Sequence, residues 1–299
     1  MHVFLTGATG LIGRALVPAL RAAGHEVIAL SRRAAPGRSP GGAEAVQGDP
    51  TRSGPWQEAL ARCDACVHLA GEPVAAGRWS EERKRAIRES RVASTRLVAE
   101  AIARGGPRVL VSGSAVGYYG SRGDEELDET SPPGDDFLAR VCVAWEEAAR
   151  PAAARARVVL LRTGIVLASE GGALPRMARP FRFFAGGPLG DGAFWQPWIH
   201  LADEVGLIVW ALGNGAVEGP LDATAPAPVR NRDLTRSIGE ALRRPSVLPA
   251  PRRLVELMLG ELASAVMGSQ RALPRKALAL GYRFRFPELG PALRDLLGR

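Results

Sequence analysis

An α/β fold, organised as a doubly wound parallel sheet, is predicted by three features of the sequence. An apolar run at 3–5 ends in the glycine-rich turn TGATGLIG at 6–13. Short apolar runs then alternate with helix-period stretches through the first half of the chain. Glycine- and proline-rich loops dominate only after Thr163.

The first strand is placed at 3–5, and the apolar positions Ala15, Leu16, Ala19 and Leu20 place a helix at 14–23 that closes at Gly24. HEVIAL at 25–30 reads as the next strand. A helix starts at Trp56, a strand follows at 66–69, a long helix at 81–104 and a strand at 109–112. A helix at 137–149 and a strand at 158–161 continue the alternation. In such a sheet, ligands gather at the C-terminal strand ends: Gly7, Ser31, Asp49, Gly71, Ser114 and Thr163. From about 175 the loops, notably GGPLGDG at 186–192 and FWQPWIH at 194–200, have the character of substrate loops. The proline-rich stretch at 245–251 divides a Rossmann-type unit at 1–245 from a smaller C-terminal unit at 246–299 on the substrate side. That tail has helical spacing at Leu254, Leu257, Met258 and Leu262, then an aromatic strand, YRFRF at 282–286, and a last helix.

A strand that ends in a tight glycine turn and opens a helix turns free backbone N–H groups and the helix dipole toward a pyrophosphate. Gly7 takes the strained turn, Gly10 admits the phosphates and Gly13 lets the helix pack on the strand, with GxxGxxG spacing in place of GxGxxG. After the second strand comes Ser31-Arg32-Arg33, with no carboxylate for the ribose hydroxyls of NAD. Two guanidiniums suit a 2′-phosphate, so NADP(H) is the expected cofactor.

With 299 residues and 46% hydrophobic content the chain is long enough for a large core. The net charge of +8 comes from arginines spread along the sequence, with all but two of the 39 basic residues arginine; no basic run interleaved with aromatics points to nucleic acid. The Cys63/Cys66 pair lacks a second ligand pair, and Cys142 stands alone, so no metal is expected. Three thiols and a strand at the first residues lead to an expectation of the cytoplasm. No uncharged stretch is long enough to span a membrane, and no membrane partner is expected.

The ordered motifs TGATGLIG, HLAGE (68–72), SGSAVGYYG (112–120), FLARVCVAWEEAA (137–149), LRTGIVL (161–167), PWIHLADEVGLIVWAL (197–212) and ATAPAPVRN (223–231) cover nearly the full length. On these the chain resembles the extended and atypical short-chain dehydrogenases/reductases, within them the nucleoside-diphosphate-sugar-epimerase-like family with a C-terminal domain of unknown function. The resemblance implies that Gly7, Thr9, Gly10, Leu11, Ile12 and Gly13 form the pyrophosphate loop. It implies that Arg32 and Arg33, beside Ser31, clamp the 2′-phosphate, and that Asp49 is the adenine-side carboxylate. Leu69, Ala70 and Gly71 would line the cofactor ribose, and Arg162, Thr163, Gly164, Ile165 and Val166 would lie near the nicotinamide. Bland alternatives stand beside these: Asp49 as a turn former before Pro50, Leu69 as core. A homodimer through the helices at 81–104 and 137–149 is a further family-level expectation.

The family's hydride chemistry depends on a tyrosine whose pKa a lysine four residues later lowers, aided by a serine or threonine. Here the residues four positions after Tyr118, Tyr119 and Tyr282 are Arg122, Gly123 and Phe286, and the corresponding helix shows Phe137 and Val141. Ser114 matches the catalytic serine or else forms a turn. Tyr118 or Tyr119 is the nearest phenol that substitutes, unless both are structural. Glu72 is an acid/base candidate if burial raises its pKa, otherwise a solvated loop carboxylate. His68 reads as a core histidine. Trp195, Gln196, Trp198 and His200 either contact a flat or sugar-like ligand or anchor the loop. Two readings follow. One is an NADP(H)-dependent oxidoreductase or epimerase of nonstandard active site in which Ser114 polarises the oxygen of a small polar substrate. The other is a catalytically inactive NADPH-binding sensor or scaffold.

Overall fold

The computed structural model describes residues 1–33 and 40–298. In chain order the elements begin with β1 (His2–Thr6), α1 (Leu11–Ala22), β2 (Glu26–Ser31) and β3 (Glu44–Gln47). Then come α2 (Trp56–Ala61), β4 (Ala65–His68), α3 (Glu81–Arg104), β5 (Val109–Ala115) and β6 (Glu126–Leu127). These are followed by α4 (Phe137–Ala149), β7 (Arg157–Thr163), β8 (Ile165–Leu167), α5 (Leu174–Arg182), β9 (Trp195–Gln196) and β10 (Trp198–His200). The rest are α6 (Leu201–Gly213), β11 (Gly219–Ala223), β12 (Val229–Arg230), α7 (Asn231–Leu242), α8 (Arg252–Leu259), α9 (Leu262–Val266), β13 (Arg271–Ala272), α10 (Arg275–Ala279) and α11 (Leu289–Leu297).

Seven strands form one sheet in the order β11-β7-β5-β4-β1-β2-β3, every pair parallel. β1 is the switch point, because the chain winds outward from it in both directions and leaves a crevice at its C-terminal end. Both faces are covered. Val3 and Leu5 point into a core shared with Leu16, Leu20, Ile208 and Ala277, while Phe4 points the other way onto Trp56, Leu60, Ile102 and Leu110. This two-sided burial explains why the strands read as continuous apolar runs. The sequence reading puts a strand end at Asp49 without bounding β3 and gives no strand at β11: β3 is a half-covered edge with polar ends, and Gly219, Pro220 and Asp222 break the strand signature of β11.

The C-terminal segment departs from the sequence reading in two places. Residues 282–286 form no strand. The Arg285 and Phe286 N–H groups donate to the Asp203 carboxylate at 2.7 and 2.8 Å, while Tyr282 and Phe286 pack on Trp210 and His200. The helical stripe is cut at Gly260 (φ 60°), so Leu254, Leu257 and Met258 lie on α8 and Leu262 opens α9. Among the described residues no helix is long and apolar enough to cross a membrane.

Candidate active site

At the end of β1, Gly7 adopts φ 78°, and a β-carbon there would sit 2.8 Å from the Leu69 carbonyl carbon. At Gly13 a β-carbon would lie 2.2 Å from the Gly7 oxygen. Both positions therefore demand glycine, one for its backbone angle and both for close approach. Gly10 caps α1 without any side-chain bond, and the first turn of α1 carries no acid. Leu11, Ile12 and Gly13 thus leave a helix start with open N–H groups and an uncompensated positive dipole end. Gly7, Thr9 and Gly10 line a cavity of about 490 Å³ beside this end.

The same cavity is lined by Ser31, Arg32 and Arg33 at the end of β2, by Asp49 and Thr51, and by Leu69, Ala70 and Gly71 after β4. The structure thus brings ten of the expected cofactor residues onto one crevice. Asp49 accepts from the Thr51 N–H (2.9 Å) and hydroxyl (2.7 Å). Desolvation, the largest single influence, raises its pKa, but the Thr51 bonds and the charges of Arg32 and Arg52 together outweigh it and hold Asp49 below the usual carboxylate range. Its turn-forming role and its place on the cavity wall coexist.

His68 fixes the floor of this crevice. Thr6 Oγ1 accepts from the N–H groups of Leu69 and Ala70, both at 3.2 Å, so its own proton goes to His68 Nδ1 at 2.7 Å. That assigns the ring proton to Nε2, which donates to Ser94 Oγ at 3.0 Å. Burial pushes the His68 pKa down to about 4, so the ring is neutral. Glu72 also lines the cavity, but it is half-buried with its carboxylate 3.3 Å from the Arg83 guanidinium. The apolar burial that an acid/base role required of it is absent.

A buried polar network lies at the C-terminal ends of β5, β7 and β11. Ser114 Oγ donates to Glu146 Oε1 at 2.7 Å. Arg162 clamps both oxygens of Glu146, Nε at 2.8 Å and Nη2 at 2.9 Å, and its Nη1 donates to the Tyr119 hydroxyl at 3.1 Å. Tyr119 donates to Asp222 at 2.7 Å, and the Asp222 N–H goes to Glu129 at 3.1 Å. Three placements bear on the expected roles. Ser114 directs its hydroxyl proton to Glu146 and presents its lone pairs as acceptors. Tyr119 is fully buried. Burial first and the Asp222 charge second push its pKa up, so it stays a protonated structural phenol. Arg162 is buried in this network and not on the wall of the crevice described above.

Tyr118 is different. Its ring lies under the Arg162 guanidinium, 3.5 Å from the ring centroid. It is half-buried, and among the described residues its hydroxyl has no protein partner. The remaining nicotinamide-side candidates are absorbed in backbone and side-chain bonding. Thr163 Oγ1 donates to Glu204 at 2.8 Å, Gly164 N–H to Ala223, and Ile165 N–H to Pro197, while Val166 pairs with Ile199 between β8 and β10.

The aromatic loop is mostly core. Trp198 is fully buried with its indole N–H on the Ala227 carbonyl. Gln196 accepts from Asn231, and His200 stacks on Phe286 with Nε2 3.2 Å from Asp295. These three are buried and anchor the segment, while Trp195 is partly exposed, its indole bonded to Asp124 between Arg230 and Arg271. Sequence reasoning missed Glu146, Asp222, Glu129 and Glu204. Asp222 sits in a segment, GPLDA, with no readable strand pattern, and Glu204 sits in a helix first turn where acids are ordinary, so neither carried a local signal.

The model of the NAD dependent epimerase/dehydratase family matches residues 3–221, and that of a domain of unknown function (DUF1731) matches 250–296. An Arabidopsis thaliana chloroplastic homolog of epimerase family protein SDR39U1 is 42% identical across 99% of this chain and 87% of its own length. The crystal structure of human SDR39U1 (isoform 2) with NADPH superimposes with a TM-score of 0.89 at 36% identity, covering 99% of each chain. A nucleoside-diphosphate sugar epimerase from Corynebacterium glutamicum gives 0.82 at 37% identity, covering 100% of this chain and 58% of that one.

Proposed function

The chain belongs to the NAD dependent epimerase/dehydratase family, and from that premise we propose that it is an NADP(H)-dependent, epimerase- or oxidoreductase-like enzyme acting on a small polar compound of nucleotide-sugar type. The observation that carries this reading is the uncapped start of α1 opening beside a crevice whose far end presents Arg32 and Arg33, with no carboxylate at the C-terminal end of β2. The N–H groups of Leu11, Ile12 and Gly13 hold the pyrophosphate, and the two guanidiniums take the 2′-phosphate. Bound NADP(H) would supply the redox couple, as NADP+ accepting the hydride from a substrate alcohol or as NADPH returning it to a carbonyl. Ser114, its proton committed to Glu146, accepts from a substrate hydroxyl and orients it. Tyr118 is the phenol that moves the proton, its ring held under the Arg162 guanidinium and its hydroxyl free of protein partners among the described residues.

Parallel titration with NADPH and NADH tests this. The wild type should prefer NADPH, and the double variant Arg32→Ala, Arg33→Ala should lose that preference by about tenfold or more while NADH binding stays unchanged. Equal NADPH binding by variant and wild type would sink the assignment. A second reading, an NADPH-binding sensor without hydride chemistry, is favoured by Phe137 and Val141 at the usual acid/base positions and by the locked Tyr119. Tight NADPH binding without any oxidation of it across a panel of sugar nucleotides and small carbonyl compounds would select that reading.

A further inference from the structure

The apolar stripe on α8 does not enter the core. Only Val255 is buried there, while Leu257 and Met258 are 71% and 66% exposed. Two neighbouring segments continue this surface. Phe183 (73% exposed) and Phe184 follow α5, and Val247 and Leu248 precede α8, all of them exposed. Bridges from Gly186 to Ser246 and from Leu189 to Ala250 hold the segments side by side, and Arg244 sits 4.6 Å from the Phe184 ring centroid. Phe184 itself adopts φ 57° at the end of α5, a position ordinarily taken by glycine. A bulky residue there is strained, and an exposed ring recovers no burial to offset the strain.

Charge selects what covers this face. Residues 174–184 and 243–259 carry seven arginines and a single carboxylate, Glu256, which is already paired with Arg252 at 2.8 Å. A second copy docked by two-fold symmetry would set these arginines against one another. A polyanion such as nucleic acid would meet the charge but leave the phenylalanine, leucine and methionine tips in water. An anionic bilayer meets both, with lipid phosphates for the guanidiniums and the acyl boundary for the apolar tips. We propose that this face docks the protein on an anionic lipid surface, with α8 lying in the interface plane. The absence of a spanning stretch, on which the sequence expectation of no membrane partner rested, has no bearing on a surface-docked helix.

The test is flotation of the full chain with vesicles of pure phosphatidylcholine and with vesicles one-third phosphatidylglycerol. The wild type should float with the anionic vesicles and be released by raised salt. The double variant Leu257→Asp, Met258→Asp should bind about tenfold or more weakly, with its NADPH titration and melting curve unchanged as evidence of an intact fold. No flotation of the wild type, or equal flotation of the variant, would overturn the proposal. So would a light-scattering mass showing a wild-type dimer that this variant dissociates, since the face would then be covered by a second copy.

Discussion

Tyr118 and Tyr119 are adjacent, yet one phenol is bonded on both sides and the other is not. Tyr119→Phe leaves the Asp222 carboxylate and an Arg162 N–H without their buried partner, and losses of that kind cost about 1–3 kcal/mol. Tyr118→Phe removes a hydroxyl with no protein partner and should stay within about 0.5 kcal/mol. Urea denaturation of the two variants distinguishes them, and equal losses would mean that Tyr118 is as structural as its neighbour. The glycine loop was legible at this scale because backbone angle and close approach leave only one residue type at Gly7 and Gly13. Ser114's true partner was not legible. Glu146 lies 32 positions away and Asp222 lies 103 positions from Tyr119, so the donor and acceptor roles are set by chain crossings that no local spacing encodes.

At the scale of elements, strands buried on both faces and the long helices were readable from periodicity, whereas edge strand β3, the Asp-bearing β11 and the extended 282–286 segment were not. In the 282–286 segment a tertiary partner replaces the strand: Asp203 on α6 supplies the acceptor that a neighbouring strand would otherwise provide. α6 also carries Glu204, fully buried, one oxygen on Thr163 of β7 and the other without a partner. Burial, only partly offset by the Thr163 bond, raises its pKa from 4.5 to about 8. The folded protein therefore holds a proton there that the unfolded chain releases above about 4.5. The resulting stability is complete below the unfolded value and is lost as pH rises through about 8. Glu204→Gln keeps the neutral shape and removes that dependence. Urea midpoints should converge for variant and wild type near the acidic end and favour the variant above pH ~8, by an amount on the order of 4 kcal/mol. Parallel pH profiles would show that Glu204 is ionised in the fold.

For the whole molecule, the sequence suggests a boundary at the proline-rich stretch 245–251, and the packing runs across it. Leu289, Ala292 and Leu293 of α11 are buried in one cluster with Phe181, Trp198, Leu234 and Ile238. Ala277 of α10 belongs to the core beneath the main sheet, and Lys276 Nζ bonds the Glu218 and Pro220 carbonyls at the start of β11. Deleting everything after residue 245 would uncover that cluster and strip Asp203 of both N–H donors. Each buried leucine contributes roughly 1.5–3 kcal/mol, and an orphaned buried carboxylate costs about as much again. Together these approach the total of about 5–15 kcal/mol that holds an ordinary domain folded. We therefore expect a 1–245 fragment to melt without a cooperative transition and to lose NADPH binding, even though every residue of the cofactor crevice is present in it. Differential scanning calorimetry of fragment and full chain checks this. A sharp transition in the fragment, with NADPH affinity intact, would make the C-terminal segment a separable unit and leave the cofactor crevice dependent on the sheet alone.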